Sequence, residues 1–137
     1  MSEQREATMA SLDLLGPVAD LTAALLDIES VSGNEAAVAD AVEAALLGLP
    51  HLSVLRDGDA IVARTNLGRA QRVVLAGHLD TVPLPTTPGS RGTVPSTWDG
   101  DTLFGRGAVD MKGGVAGQLG IADRLLEPNS DVTFVFY

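Results

Sequence analysis

From Pro17 onward the apolar positions recur with helical spacing. Val18, Leu21, Leu25 and Ile28 fall on one face of a helix, with Pro17 in its first turn. Ser32 and Glu35 have the spacing of a capping box, in which the hydroxyl accepts from a first-turn amide and the glutamate answers back. A second helix is expected behind it, with Val38, Val42, Leu46 and Leu49 as its stripe and Gly48 and Pro50 marking its end. The period changes at Leu52. Ser53–Leu55 and Ala60–Arg64 are short strand-like runs separated by Asp57-Gly58-Asp59, which predicts a hairpin. Arg72–Gly77 carries a continuous apolar run and reads as the central strand, covered on both faces. Residues 85–100 contain Pro88, Gly89, Gly92 and Pro95 without a sustained period, and predict an ordered surface loop. Val115, Leu119, Ala122 and Leu126 predict a third helix, opened by Gly113-Gly114 and closed by Pro128-Asn129; Val132–Tyr137 reads as another buried strand.

This order of elements predicts an α/β domain, a layered mixed sheet with helices on its faces. The 137 residues suit one domain or part of a larger one, and 45% hydrophobic with 20% charged residues can build a core. A net charge of −9 disfavours both a nucleic-acid partner and a membrane surface, which call for a basic face. With no cysteine, disulfides, thiol nucleophiles and thiolate metal sites drop out, so a bound metal must use histidine and carboxylate. Met1–Ala10 has no apolar block of a secretory signal, and no segment reaches the ~20 apolar residues of a membrane span. A cytoplasmic location is expected. The chain stops on the apolar run Val132–Tyr137 without a turn or polar tail, and is read as the amino-terminal portion, residues 1–137, of an incomplete domain.

The sharpest chemical feature is Gly77-His78-Leu79-Asp80-Thr81-Val82-Pro83, directly after a predicted strand. In extended chain His78 and Asp80 project to one side, and a carboxylate beside an imidazole can fix its tautomer and raise its basicity as a metal ligand. A second segment, Trp98 to Gly114, is glycine-rich, leads into a helix and holds Asp110, a hard oxygen donor. It matches neither phosphate-cradling glycine motif. His51 reads as a surface or packing residue, Lys112 as solvated, and Trp98 as an anchor for its loop.

Residues 77–83 and 105–114, in this order and with Asp110 32 positions after His78, resemble the zinc-dependent amidohydrolases and exopeptidases that include succinyl-diaminopimelate desuccinylase, acetylornithine deacetylase, aminoacylase and the glutamate carboxypeptidases. Ser32-Gly33-Asn34-Glu35 and Trp98-Asp99-Gly100 also match the family's usual context. The wording around Met111-Lys112-Gly113-Gly114 is most similar to the bacterial desuccinylases. The resemblance implies that His78 binds one zinc, that Asp110 bridges two, that Asp80 serves catalysis by orienting His78, and that the Asp110–Met111 peptide is cis. It further implies two zinc ions, with cobalt as an alternative, in a homodimeric enzyme that hydrolyses a small N-acyl amino acid. N-succinyl-diaminopimelate is the expected substrate, and N-acetylornithine or a peptide the alternative. The family's glutamate base, its remaining ligands and its smaller dimerisation domain would lie beyond Tyr137. Too few ligands remain for catalytic zinc, so this stretch alone is expected to be inactive, and a non-catalytic module binding a partner through its unpaired strand is the competing reading. An acidic acyl substrate needs cationic contacts, for which Arg91 and Arg106 are candidates.

Overall fold

The computed structural model describes residues 10–137. Helix α1 (Val18–Leu26) and helix α2 (Ala36–Leu47) come first, followed by the hairpin β1 (Ser53–Asp57) and β2 (Ala60–Arg64) and then β3 (Arg72–Gly77). A small hairpin, β4 (Thr97–Asp99) and β5 (Thr102–Phe104), precedes α3 (Gly113–Arg124) and β6 (Asp131–Phe136). The main sheet has the order β1-β2-β6-β3, antiparallel except for the parallel pair β6/β3. This is the mixed α/β layering expected from the element order.

One face of the sheet carries the core. Ile61 and Ala63 of β2 pair with Phe136 and Phe134 of β6, and all four are buried under α2 and α3 together with Val38, Val42, Leu46, Val115 and Leu119. The periodic stripes of α2 and α3 therefore do what amphipathic helices do on a sheet. α1 packs on α3 and buries Leu21, Leu25 and Leu26.

Five local expectations change. β3 is an edge strand, not the central one: β6 inserts between it and β2, and Val73 and Val74 are exposed. A continuous apolar run signals burial potential but does not say which neighbour takes which edge. The capping box does not form, because α2 starts at Ala36 with Glu35 as its cap residue; the Glu35 carboxylate accepts from the Gly33 amide, and Ser32 is engaged elsewhere. The loop predicted over 85–100 ends in β4, which reverses at Asp99-Gly100-Asp101 with Gly100 at positive φ. Trp98, half-exposed on β4 opposite Leu103, is no core anchor. α3 stops at Arg124, leaving Leu126 exposed beyond it.

The register of β6 against its neighbours is set at one end by a buried carboxylate. Asp131 accepts from Thr65 Oγ1 at 2.7 Å and from the amides of Leu67 and Arg69 at 2.7 and 2.8 Å, while Arg72 Nη2 lies 3.8 Å away. The same Thr65 hydroxyl accepts from the Val132 amide. These contacts join the end of β2, the β2–β3 loop, the start of β3 and the start of β6. Three donors and a nearby guanidinium favour the ionised form, and the Asp131 carboxyl is lowered to about 2, with the Thr65 hydroxyl as the leading cause.

Because the folded-state value lies below the ordinary 3.8, Asp131 contributes stability that is present above about pH 4 and is lost as the pH falls toward 2. Urea denaturation of the parent chain and of Asp131→Asn should therefore diverge most at neutral pH, with the parent more stable. The gap should close between pH 4 and 2; a gap independent of pH would contradict this role.

Candidate metal centre at the ends of two parallel strands

β3 and β6 run in parallel and finish side by side, so the residues after β3 emerge where α/β sheets gather ligands. Hydrogen bonds hold the segment Leu79–Thr81 on both sides. The Tyr137 amide donates to Gly77 O at 3.1 Å and the Leu79 amide to Tyr137 O at 2.5 Å. On the other side Ser30 Oγ donates to Leu79 O at 2.7 Å, and the Thr81 amide to Ser30 O at 2.9 Å. α3 is fixed to the same strand ends by Gln118, whose Nε2 donates to Leu75 O and Val135 O, both at 3.0 Å.

His78 and Asp110 converge in this frame. The imidazole Nε2 lies 2.8 Å from Asp110 Oδ1, although the two are 32 positions apart in the chain. On its other side the ring meets Asp80 twice, with Nδ1 3.0 Å from the backbone carbonyl and 3.1 Å from Oδ1. Burial alone would make His78 harder to protonate. The hydrogen bonds to Asp110 and to Asp80 outweigh it, so the imidazole pKa is raised and the ring can donate from both nitrogens. Asp80 is held below the usual carboxylate range, chiefly by the Ser32 hydroxyl, which donates to its Oδ2. Asp110 presents a side chain that is 81% exposed. The Tyr137 ring stands edge-on to His78, with centroids 6.4 Å apart.

Asp110 reaches this place through an irregular turn between Gly107 and α3. The Asp110–Met111 peptide is cis, as the family resemblance implies. Gly107 has φ +86°, and a Cβ there would meet Thr81 Cγ2 at 2.6 Å, so only glycine lets this turn lie against the His78–Thr81 segment. Met111 Sδ accepts from the His78 amide at 3.3 Å, tying the two blocks together by a second route.

Residues 74–137, which contain both blocks, match the family described as Peptidase family M20/M25/M40. The chain is 50% identical over 127 residues to the Mycobacterium tuberculosis (strain ATCC 25618 / H37Rv) protein named "Putative succinyl-diaminopimelate desuccinylase DapE", covering 92% of this chain and 34% of that protein. It is 47% identical over 107 residues to the succinyl-diaminopimelate desuccinylase of Corynebacterium glutamicum, covering 77% of this chain and 27% of that protein. The chain belongs to the M20 peptidase family. It spans about a third of the length of these relatives. Among solved structures, the M20 metallo-carboxypeptidase Sso-CP2 of Sulfolobus solfataricus shares the fold, with a TM-score of 0.73 at 18% identity over 88% of this chain and 30% of that one. Human carnosine dipeptidase 1 does so with a TM-score of 0.68 at 19% identity, over 87% of this chain and 31% of that one.

Within this M20 chain, the three residues singled out from sequence, His78, Asp80 and Asp110, lie together, and His51 lies apart. His51 Nε2 is 2.7 Å from Ala122 O, in the last turn of α3, which is a packing role. Ser32 was missed because its spacing to Glu35 imitates a helix cap; its contact to Asp80 spans 48 residues and leaves no local trace. Lys112 is a correction. It is buried rather than solvated, and its Nζ donates to Leu25 O at 2.8 Å and Ile28 O at 2.6 Å at the end of α1. Burial pushes its amine down to about 8, partly offset by Glu29 and Asp27. A cation at a helix C-terminus is favourably placed, and here it ties α1 to the turn that carries Asp110.

Lys112→Met removes the partner that the structure shows for Ile28 O, and should cost about 1–3 kcal/mol in chemical denaturation. An unchanged midpoint would show that the lysine does not hold the turn.

Proposed function

We propose that this chain is the amino-terminal, metal-binding part of the catalytic domain of a di-zinc amidohydrolase that cleaves N-succinyl-diaminopimelate. The observation that carries the reading is the approach of His78 Nε2 to Asp110 Oδ1, with Asp80 behind Nδ1. The names of the two relatives near 50% identity support the substrate.

The donors suit zinc in kind. An imidazole nitrogen and a carboxylate oxygen are common zinc ligands, and cobalt accepts the same set. They fall short in number, since zinc normally takes three or four protein ligands and no cluster of three or more His, Asp or Glu side chains placed to hold a metal occurs among the described residues. His78 would hold one ion and Asp110 would lie between two, with the remaining donors supplied by the longer protein. When bound, a metal pair supplies a water acidified toward neutral pH and polarises the scissile carbonyl.

The chain's own residues supply orientation. Asp80 would keep a proton on Nδ1, so that a bound metal could take the place of the Nε2 proton that otherwise faces Asp110, which is what a ligating imidazole requires. Ser32 holds the Asp80 carboxylate in its ionised form. Hydrolysis adds water across the amide: hydroxide goes to the acyl carbon, the C–N bond breaks, and the amine leaves with a proton, giving succinate and diaminopimelate. The proton-handling base belongs to the part of the enzyme outside these residues, and this stretch alone is inactive in this reading. A homodimeric complete enzyme in the cytoplasm completes the proposal. No helix among the described residues is long and apolar enough to cross a membrane.

In the full-length enzyme, Asp80→Ala should weaken zinc binding about 10–100-fold, His78→Ala should impair one zinc site and Asp110→Ala both, all measured by calorimetric titration. The ratio of kcat/KM should favour N-succinyl-diaminopimelate over N-acetylornithine and dipeptides. Unchanged metal content in the Asp110 variant would remove its bridging role, and a preference for either other substrate would overturn the substrate assignment.

A further inference from the structure

We propose that Arg106 anchors a substrate carboxylate in the pocket beside Asp110, a specificity contact that rests on the amidohydrolase reading. Arg106 and Asp110 line one pocket of about 440 Å³, walled on its apolar side by Val82, Leu103 and Phe104. That volume lies in the range of small-molecule sites.

The state of the guanidinium separates Arg106 from the other candidate. Arg91 is already engaged: its Nη1 lies 2.9 Å from Asp99 Oδ2, and its guanidinium stacks 4.4 Å from the Phe104 ring centre. Arg106 Nε is buried and has no hydrogen-bond partner, and the side chain makes no ion pair among the described residues. A buried donor without a partner is costly, and a guanidinium offers a planar fork matched to a carboxylate. The backbone is built around this side chain. A Cβ at Gly92 would sit 2.9 Å from both Cζ and Nη2 of Arg106, so Gly92 makes room for the head group. The Arg106 amide donates to Thr93 O at 3.3 Å, which fixes the root of the side chain against the same loop.

The ligand chemistry follows. A net charge of −9 repels anions over most of the surface, so an unpaired cation in an apolar-walled pocket is a local exception that selects for one. A short aliphatic chain with a terminal carboxylate fits such a pocket, its methylenes against Phe104 and Leu103 and its charge on Arg106. The carboxylate could come from the acyl arm or from the amino acid released, and the two are separable by experiment.

The test uses the full-length enzyme stripped of metal on a chelating resin, at low salt, with the Arg106 Nε–H resonance followed by NMR. Succinate, diaminopimelate and uncharged succinamide are titrated in turn. Succinate should move the resonance saturably and succinamide should not, and Arg106→Gln should weaken succinate binding about tenfold or more. A response to succinate assigns the pocket to the acyl arm, and one to diaminopimelate alone assigns it to the amino-acid carboxylate; either supports the anchor. An Arg106 resonance unmoved by both, or equal succinate affinity in Arg106→Gln, overturns it. The parent resonance reads out binding even if the variant fails to fold. No metal is present, so these results do not depend on the zinc proposal: failure here with intact zinc binding in the full-length enzyme sinks the anchor and leaves the hydrolase reading standing.

Discussion

An imidazole serves a metal only when one nitrogen is held and the other is presented, and the arrangement around His78 meets that constraint. Asp80 takes Nδ1 through both its carbonyl and its carboxylate, which leaves Nε2 pointing at Asp110. The rest of the fold serves to keep this geometry. The ring is placed by a backbone segment hydrogen-bonded to Ser30 on one side and Tyr137 on the other, so its freedom is removed by long-range pairing. Asp110 is brought in by a turn that Gly107 allows to lie close, and that Lys112 fastens to the end of α1.

Two buried charged groups thus act at opposite ends of the same layers. Asp131 gathers donors at the start of β6 and sets the parallel register with β3, while Lys112 satisfies carbonyls at the C-terminus of α1. Each is desolvated, and each is compensated by hydrogen bonds, as a buried charge must be. The parallel register is what places the end of β3 beside the end of β6, and so connects Asp131 to the position of His78 across the length of the strands.

Much of this was legible in the sequence, for identifiable reasons. Helical periodicity at Val38, Val42 and Leu46 and at Val115, Leu119 and Ala122 reports burial directly, because each stripe meets one sheet face. The Asp57-Gly58-Asp59 turn reports a hairpin because its geometry is local, and Gly58 has the positive φ that such a turn uses. The same logic applied to Asp99-Gly100-Asp101 would have found β4 and β5, whose strands are too short to show a period. His78 and Asp110 were found because each lies in a short, chemically distinctive block. Non-local partnership was not legible. Ser32 looks like a cap and serves Asp80, Lys112 looks solvated and is buried, and β3 looks central and forms an edge. Those outcomes depend on contacts between segments tens of residues apart, which periodicity does not encode.

The proposed sharing of one ion by His78 and Asp110 is tested most directly by cobalt addition followed by NMR. A paramagnetic ion held between the two side chains should produce its largest shifts and broadening at the His78 ring and the Asp110 carboxylate, with effects falling away along β3 and α3. Effects focused on another acidic region, with both residues unperturbed, would contradict it.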